Sequence, residues 1–198
     1  MVEILTPRDL LPLRLRLAHP MTDEALFEFC RMNRELRVER TREGELIIMP
    51  STGGETGRRN FNLTVAFGNW AREDATGIGF DSSTGFILPS GAERSPDVAW
   101  VRKARWDALT PEQRQRFVPL CPDFVIELRS RSDALPDLQA KMEEYIECGP
   151  EQGWLIDPER RQVHIYRSGG AVEVLDDPAT VSAEPLLRGF VLPLGEVW

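Results

Sequence analysis

The chain has 198 residues, of which 41% are hydrophobic and 28% are charged, and this composition is typical of a globular protein rather than a disordered or fibrous one. A chain of this length buries roughly two-thirds of the surface that its unfolded form exposes, so we expect a single domain over residues 1–198. The longest apolar runs fall far short of the roughly 20 residues that span a bilayer, so we expect no membrane segment. Residues 1–8 lack the basic start and apolar stretch of a secretory signal, which favours a cytoplasmic location.

The formal net charge of −8 argues at first sight against a nucleic-acid partner, but the charge is unevenly distributed. Residues 1–131 contain 19 acidic and 19 basic side chains, whereas residues 132–198 contain 13 acidic and 5 basic ones. Residues 102–116 carry a local basic excess, which indicates either a solvated loop or a surface for a polyanion. Five acids of the last third are expected to line an outer helix face and loop: Glu143, Glu144, Glu147, Glu151 and Glu159.

Histidine and cysteine are too scarce to form most familiar catalytic or metal sites. The sequence contains only two histidines, and its three cysteines lie far apart without a C-x-x-C pair. A zinc site, a disulfide framework and a Ser-His-Asp or Cys-His mechanism are therefore disfavoured. Any acid–base or metal chemistry must come from carboxylates, lysine or arginine.

In chain order, the hydrophobic periodicity and the positions of Gly and Pro predict alternating helices and strands. Thr22 is a suitable N-cap for the first helix, and Glu43-Gly44 is the expected turn of a hairpin. The predicted helices cover residues 22–34, 55–74 and 136–148, and the predicted strands cover residues 36–41, 45–49, 79–83, 85–88, 97–101, 123–129, 154–157, 162–167, 171–175 and 190–194. This order indicates a mixed α/β (α+β) fold with an N-terminal helix and hairpin.

The strand at residues 123–129 contains the first candidate functional residue, Glu127. Alternation along the strand places Glu127 on the same face as Val125, in the middle of an apolar segment. An unpaired carboxylate would be costly there, so Glu127 needs a cation. The alternatives are a salt bridge to Arg129 or to a helix residue, and a metal ion.

A second carboxylate begins an earlier strand. Asp97 follows Ser95-Pro96 and precedes the apolar segment Val-Ala-Trp-Val, 30 residues before Glu127. This separation is long enough for the chain to leave the sheet after the first strand and return as a neighbouring strand. Two carboxylates at the ends of adjacent strands would form an oxygen-rich cavity that suits Mg²⁺ or Mn²⁺.

The third candidate is a lysine in a sequence that otherwise uses arginine. Of the 24 basic residues, only Lys103 and Lys141 are lysine. Lys141 lies in the helix after the Glu127 strand, on the border of its apolar stripe, where a compact ammonium could reach a water or a phosphate. The alternative is a structural pair with Asp137, one helical turn earlier.

Five segments together resemble the Uma-type restriction endonucleases, a bacterial branch of the PD-(D/E)XK nuclease superfamily. The segments are Thr-Gly-Gly-Glu-Thr-Gly-Arg-Arg-Asn around Glu55, Ser-Pro-Asp-Val-Ala-Trp-Val around Asp97, Pro-Asp-Phe-Val-Ile-Glu-Leu-Arg-Ser around Glu127, Asp-Leu-Gln-Ala-Lys-Met-Glu-Glu-Tyr around Lys141 and Gly-Trp-Leu-Ile-Asp-Pro around Asp157. The resemblance covers the chain from about residue 24 to the C-terminus. It implies a restriction-endonuclease-like core, in which helices flank a central mixed sheet and a metal-dependent nuclease site lies at one end.

The resemblance also implies a role for each site residue. Asp97 matches the motif aspartate, Glu127 matches the next acidic ligand, and Glu55 matches an additional acidic residue close to the metal. The usual lysine position, two residues after Glu127, holds Arg129, and the lysine of similar enzymes that lies in the next helix would be Lys141. Mg²⁺ or Mn²⁺ would then polarise a phosphodiester and acidify a water, while Lys141 orients that water or stabilises the developing charge.

DNA is the partner that the resemblance implies, and two alternatives to DNA cleavage remain open. Arg58, Arg59 and residues 102–116 are the expected sources of positive potential, and a homodimer is expected by analogy. The first alternative is an inactive nuclease fold that binds DNA or a protein partner. The second is a metal-free hydrolase that uses Glu55, Glu127 and Asp97 as an acid–base pair plus helper, whose activity would persist in EDTA.

Overall fold

A computed structural model describes residues 12–198, and two large β-sheets, one two-stranded sheet and several helices make up this part of the chain. The expectation for residues 1–8 lies outside the described residues. The first half contains β1 (Leu13–Leu15), α1 (Asp23–Met32), β2 (Arg37–Arg40), β3 (Leu46–Met49), α2 (Gly54–Asp74), β4 (Gly77–Asp81), β5 (Phe86–Ile87), β6 (Glu93–Arg94) and β7 (Val98–Arg102). The second half contains α3 (Lys103–Asp107), α4 (Pro111–Arg114), β8 (Phe124–Leu128), α5 (Leu135–Glu147), β9 (Gln152–Asp157), β10 (Gln162–Arg167), β11 (Glu173–Asp176), β12 (Thr180–Ser182) and β13 (Val191–Pro193).

The central sheet has six strands in the order β11-β10-β9-β8-β7-β4, and helices cover both of its faces. Only β8 and β9 are parallel within it, as expected for two strands that are joined by the crossover helix α5. Phe124 and Ile126 of β8 pack in one core cluster with Phe67 of α2, whereas Val125 packs in a second cluster with Met142 of α5. The predicted alternation of β8 and the central mixed sheet flanked by helices are confirmed.

A second sheet of five strands, in the order β1-β3-β2-β6-β5, is built on the predicted hairpin. Leu26 of α1 packs against this sheet in a third cluster with Val38, Leu46 and Ile48. The Thr22 hydroxyl accepts a hydrogen bond from the backbone N–H of Ala25 and so caps α1. Strand β2 of this second sheet contacts α5 through Glu39 and Lys141.

The structure confirms the mixed α/β class and the three predicted helices, whose observed ends differ from the predicted ones by at most two residues. The prediction missed the short elements β1, β6, β12, α3 and α4. Gly77 shows one local constraint on the sheet, because a Cβ atom there would lie 2.2 Å from the Trp100 ring. No helix in residues 12–198 is both long enough and apolar enough to cross a membrane.

Candidate active site

Asp97 and Glu127 lie side by side at one end of the central sheet. β7 begins directly after Asp97 and runs antiparallel to β8, with Val98 opposite Ile126, so this register brings Asp97 opposite Glu127. The backbone N–H of Leu128 donates a hydrogen bond to Asp97 Oδ2 at 2.9 Å and ties the two strand ends together. The two carboxylates therefore lie at the ends of adjacent strands, as the sequence predicts.

Glu127 is 5% exposed, and a lysine of the next helix supplies its cation. The Lys141 Nζ lies 2.8 Å from Glu127 Oε1, and the Tyr145 hydroxyl donates to the same oxygen at 3.1 Å. Lys141 and Tyr145 are four residues apart on α5 and project from one helix face. Both contacts use Oε1, and no described residue donates a hydrogen bond to Oε2.

Arg129 takes no part in this contact, and the alternative of a Glu127–Arg129 salt bridge is wrong. The Arg129 guanidinium donates to Asp157 Oδ2 at 2.8 Å, and Asp157 is fully buried at the end of β9. The Arg129 Nε also donates to the Asp133 carbonyl at 3.2 Å. Because β8 and β9 are parallel neighbours, Arg129 reaches across to β9 instead of along its own strand. Arg129 thus joins the ends of two neighbouring strands.

Lys141 has a second carboxylate partner that the sequence analysis did not identify. Its Nζ lies 2.8 Å from Glu39 Oε1, and Glu39 is 3% exposed on β2. The alternative pair of Lys141 with Asp137 is wrong, because Asp137 instead accepts a hydrogen bond from Arg14 at 2.8 Å. Glu39 lies in a predicted hairpin strand, and no local pattern distinguishes it from a solvated charge. Its contact with α5 is a property of the tertiary fold.

Buried ion pairs extend from Glu39 to the surface of α5. Arg94 Nη1 lies 3.1 Å from Glu39 Oε2, and Arg94 Nη2 lies 2.6 Å from Glu144 Oε2. Arg42 Nε contacts the other Glu144 oxygen at 3.1 Å. The prediction that Glu144 lies on an outer face is therefore wrong: the residue is 4% exposed, and two arginines compensate for its burial.

The two strand-end carboxylates are in an environment that disfavours their charged forms. Burial raises the pKa of Glu127 to about 7, and the neighbouring charges of Asp97 and Glu39 act in the same direction, while Lys141 opposes them. Burial likewise raises the pKa of Asp97. The ammonium of Lys141 keeps a raised pKa despite its burial, because Glu127 and Glu39 both stabilise its charge. Burial is therefore the main cause of the raised pKa values of both carboxylates.

Asn60, the last residue of the segment around Glu55, is a further residue of the candidate site. Its side-chain Nδ2 donates to Asp97 Oδ1 at 2.7 Å from the first turns of α2. With the Leu128 N–H on the other oxygen, both carboxylate oxygens of Asp97 are held in place. The signal in the sequence was the position of Asn60 at the end of the segment that contains Glu55.

Glu55 lies at the rim of the site instead of beside the other two carboxylates. A cavity of about 540 Å³ is lined by Asp97, Glu127 and Lys141 and also by Glu55. The side chain of Glu55 is 59% exposed and pairs with Arg58 at 2.7 Å. In residues 12–198, no group of three or more His, Cys, Asp or Glu side chains is arranged to hold a metal ion.

The basic residues that were expected to face DNA lie at opposite ends of the central sheet. Arg102 ends β7, five residues after Asp97, and a strand rises roughly 3.3 Å per residue. Residues 102–116 therefore begin about 16 Å from the carboxylates, at the far end of the strand. Arg59, in contrast, lines the same cavity as Asp97, whereas Arg58 pairs with Glu55 and is not among the lining residues. Arg37, which was not among the expected residues, also lines this cavity.

The donor set of this cavity fits a divalent cation of the Mg²⁺ type. Mg²⁺ is commonly bound by one or two carboxylates, with waters and substrate phosphate oxygens completing its coordination. Asp97 and Glu127 are two such carboxylates, Glu127 Oε2 has no hydrogen-bond donor among the described residues, and burial raises the pKa of both groups. A bound cation would stabilise the ionised form of both carboxylates, so the residues fit the ion that the resemblance implies.

Comparison with solved structures gives the class of fold. The structure described as "Crystal structure of a putative nuclease belonging to DUF820 from Anabaena variabilis ATCC 29413" has a TM-score of 0.69 and 20% sequence identity, and the match covers 82% of this chain and 90% of that chain. The cryoEM structure of a DrdV–DNA complex is more distant, with a TM-score of 0.36 and 15% identity over 62% of this chain and 12% of that chain. The first likeness establishes that the two chains share a fold.

The family follows from the sequence. The chain belongs to the Uma2 family, described as "Putative restriction endonuclease", which matches residues 23–195. The resemblance to the Uma-type restriction endonucleases is thereby confirmed. No curated protein matches this chain.

Proposed function

We propose that this chain is a Mg²⁺- or Mn²⁺-dependent endonuclease of the PD-(D/E)XK type that hydrolyses DNA phosphodiester bonds. The observation that carries the proposal is the contact between Lys141 and Glu127 beside Asp97, in a cavity large enough for a phosphate group. Membership of the Uma2 family and a fold shared with the Anabaena variabilis protein support a nuclease.

Asp97 and Glu127, together with the Leu128 carbonyl, would hold the cation. The cation would supply a Lewis acid for a phosphodiester oxygen and would lower the pKa of water. Asn60 and the Leu128 N–H fix the orientation of Asp97, and Tyr145 fixes one oxygen of Glu127. Because these partners are in place before substrate binds, the carboxylates need little reorganisation.

Lys141 would act on the substrate as a hydrogen-bond donor with a full positive charge. An ammonium has three donors, and the carboxylates of Glu127 and Glu39 occupy two of them in this structure. The third can donate to a phosphate oxygen or to the attacking water in the cavity. A donor aimed at charge that develops in the transition state stabilises it most when water is excluded, and Lys141 is 11% exposed.

Glu55 would serve the outer part of the site. Its exposed carboxylate lines the cavity at the start of α2, where it could bind a water or a second ion. Arg37 and Arg59 line the same cavity and would contact DNA phosphates on either side of the scissile bond. This placement supports DNA binding at the end of the central sheet where Asp97 and Glu127 lie. The homodimer and the cytoplasmic location stay predictions.

The direct test is cleavage of DNA by the purified chain. Supercoiled plasmid, linear duplex, single-stranded and branched DNA would each be incubated with Mg²⁺, Mn²⁺ or EDTA. We expect metal-dependent cleavage of at least one form by the natural chain and none by Asp97→Ala. Cleavage that persists in Asp97→Ala would point to a contaminating enzyme and would contradict the proposed nuclease activity.

Other outcomes would favour the two alternative functions. Mn²⁺ binding that Asp97→Ala abolishes, together with no cleavage of any DNA form, would favour an inactive nuclease fold that binds DNA or a protein. Hydrolysis that continues in EDTA would favour metal-free carboxylate chemistry.

A further inference from the structure

Charged residues from the second sheet are buried against the candidate site. Glu39 of β2 and Arg94 of β6 have relative exposures of 3% and 8%, and neither belongs to a motif that the family resemblance uses. Burying charges is costly, so a structure retains them only when each is closely paired. Arg94 pairs with Glu39, and Glu39 in turn pairs with Lys141, whose Nζ lies 2.8 Å away.

We propose that Glu39 is the positioning residue that holds the Lys141 ammonium over Glu127, which makes the second sheet a part of the active site. The proposal rests on the proposed function for its catalytic meaning, although the position of the ammonium can be measured without any activity. Glu39 lines the same cavity, but its carboxylate oxygens contact Lys141, the Ser95 N–H and Arg94. It acts through Lys141.

The need for such a residue follows from where the lysine lies. Lys141 projects from α5, and its long side chain has four rotatable bonds, so one carboxylate at its tip would leave it free to pivot. Two carboxylates at 2.8 Å fix two of its three donors and thereby the direction of the third. If Glu127 rotates to bind a cation, Glu39 still holds the ammonium in place.

Glu39 is itself held rigidly enough to act as an anchor. Its Oε1 accepts a hydrogen bond from the backbone N–H of Ser95 at 3.1 Å, and its Oε2 lies 3.1 Å from Arg94. Ser95 is two residues before Asp97, so the anchor for the lysine and the first carboxylate are attached to the same short segment. Burial alone would raise the pKa of Glu39, but the charges of Lys141 and Arg94 lower it, so the anchor stays ionised.

The test uses the fact that the sequence has only two lysines, Lys103 and Lys141. Labelling the chain with [¹⁵N]lysine gives two Nζ signals, whose relaxation reports the order parameter of each ammonium. Lys103 is 56% exposed and, among residues 12–198, pairs only with Asp107, so it serves as the mobile internal reference. We expect a rigid ammonium for Lys141 in the natural chain and a mobile one in Glu39→Gln.

A matched control removes another acid of the same hairpin. Glu45 pairs with Arg14 at 3.4 Å and Arg16 at 3.1 Å, and neither partner is a lysine. Glu45→Gln is expected to leave both Nζ signals and the cleavage rate unchanged. Glu39→Asp keeps the charge with a shorter reach, and we expect it to restore part of the order that Glu39→Gln loses.

Cleavage kinetics supply the second readout. Partners that orient a functional group typically change activity about 10- to 100-fold when they are removed. We expect Glu39→Gln to lower kcat by about that factor with KM nearly unchanged, and Glu39→Asp to recover part of kcat. A purely structural role for Glu39, such as neutralising Arg94, would lower stability without this pattern.

Two results would overturn the proposal. One is a Lys141 order parameter in Glu39→Gln equal to that of the natural chain. The other is a Lys141 ammonium as mobile as that of Lys103 in the natural chain itself, a result that requires no variant to fold. A natural chain that cleaves no DNA but holds Lys141 rigidly through Glu39 would contradict the proposed function while leaving the positioning contact intact.

Discussion

The Arg129 guanidinium lies 2.8 Å from the fully buried Asp157 carboxylate, although Glu127 is only two residues before it on the same strand. The backbone N–H groups of Glu159 and Arg160 donate to the other Asp157 oxygen at 3.0 and 3.3 Å. This cluster closes the ends of β8 and β9, directly beside the candidate site. The chain therefore separates two tasks: Arg129 stabilises the sheet end, and Lys141 faces the cavity.

The first prediction concerns Arg129→Met, which removes the guanidinium and leaves the buried Asp157 carboxylate without its closest cation. Breaking a buried ion pair costs about 3–5 kcal/mol, and the backbone donors to Asp157 should keep the loss near about 3 kcal/mol. Guanidinium chloride denaturation of both chains measures this difference in the free energy of unfolding.

Arg131→Ala is the matched control, because the Arg131 side chain is 93% exposed and its loss should change stability by less than about 0.5 kcal/mol. Arg129→Met with unchanged stability but no cleavage would contradict the division of tasks.

The second prediction concerns Lys141→Met, which should lower the single-turnover cleavage rate by about 10²- to 10³-fold, the usual effect of removing one preorganised donor. Lys141→Arg should not restore the rate, because a planar guanidinium cannot occupy the same position between two carboxylates. Lys103→Met is the control, since Lys103 is exposed and pairs with Asp107. Equal cleavage rates for Lys141→Met and Lys103→Met would show that Lys141 has no role in cleavage.

The third prediction concerns the pH dependence of cleavage. Burial raises the pKa of Glu127 to about 7, and only the ionised carboxylate can bind a cation. At low Mn²⁺ concentration the rate should therefore rise with pH up to about 7. The cation competes with the proton, so higher Mn²⁺ concentrations should move this rise to lower pH. A rise that stays at the same pH at all Mn²⁺ concentrations would contradict this role of Glu127.

The fourth prediction concerns Glu93, which is fully buried on β6 and has an Oε2 atom without a hydrogen-bond partner among the described residues. Burial raises its pKa from 4.5 to about 8, and the charge of Glu39 adds to this effect. Between these two pH values the native state binds more protons than the unfolded chain. Stability should therefore fall as pH rises through this window, by up to about 1.4 kcal/mol per pH unit.

Glu93→Gln provides the comparison, because it keeps the shape of the protonated acid and cannot ionise. Urea denaturation from pH 5 to pH 9 should show the natural chain losing stability relative to Glu93→Gln as pH rises. Parallel stability curves for the two chains would mean that Glu93 does not titrate in this window.

The fifth prediction concerns DNA binding by the two arginines that line the cavity. Arg37→Gln and Arg59→Gln should each weaken binding to duplexes of different sequence by a similar factor and reduce the salt slope by about 1. Fluorescence anisotropy at several salt concentrations measures both quantities. Arg167→Gln is the control, since Arg167 at the end of β10 pairs with Glu173 of β11 and does not line the cavity. An affinity of the natural chain that is independent of salt would contradict electrostatic binding at this surface.

Much of the fold could be predicted because its long elements carry strong local patterns. The apolar stripe of α2 and the alternation of β8 are visible over many residues, so their types and faces are confirmed. The missed strands β1, β6 and β12 have two or three residues each, too few for any period to show. The division of the strands into three sheets depends on long-range pairing, which a local pattern does not contain. The single-domain assignment stays a prediction.

The candidate site was predictable to the extent that its residues belong to recognisable segments. Asp97, Glu127 and Lys141 stand in ordered motifs, and the structure brings them together. Glu39 and Asn60 were missed because their roles come from contacts across the fold, 102 residues to Lys141 and 37 residues to Asp97. Buried charge pairs of this kind look like ordinary surface charges in a sequence.

Diffraction from a crystal soaked in Mn²⁺ tests the central claim most directly, because the anomalous signal locates the ion without any assay of activity. We expect a peak within about 2.5 Å of a carboxylate oxygen of both Asp97 and Glu127, with the Lys141 ammonium facing the same cavity. Soaked crystals with no peak between Asp97 and Glu127, in which Lys141 alone neutralises Glu127, would contradict a metal-dependent nuclease site in this chain.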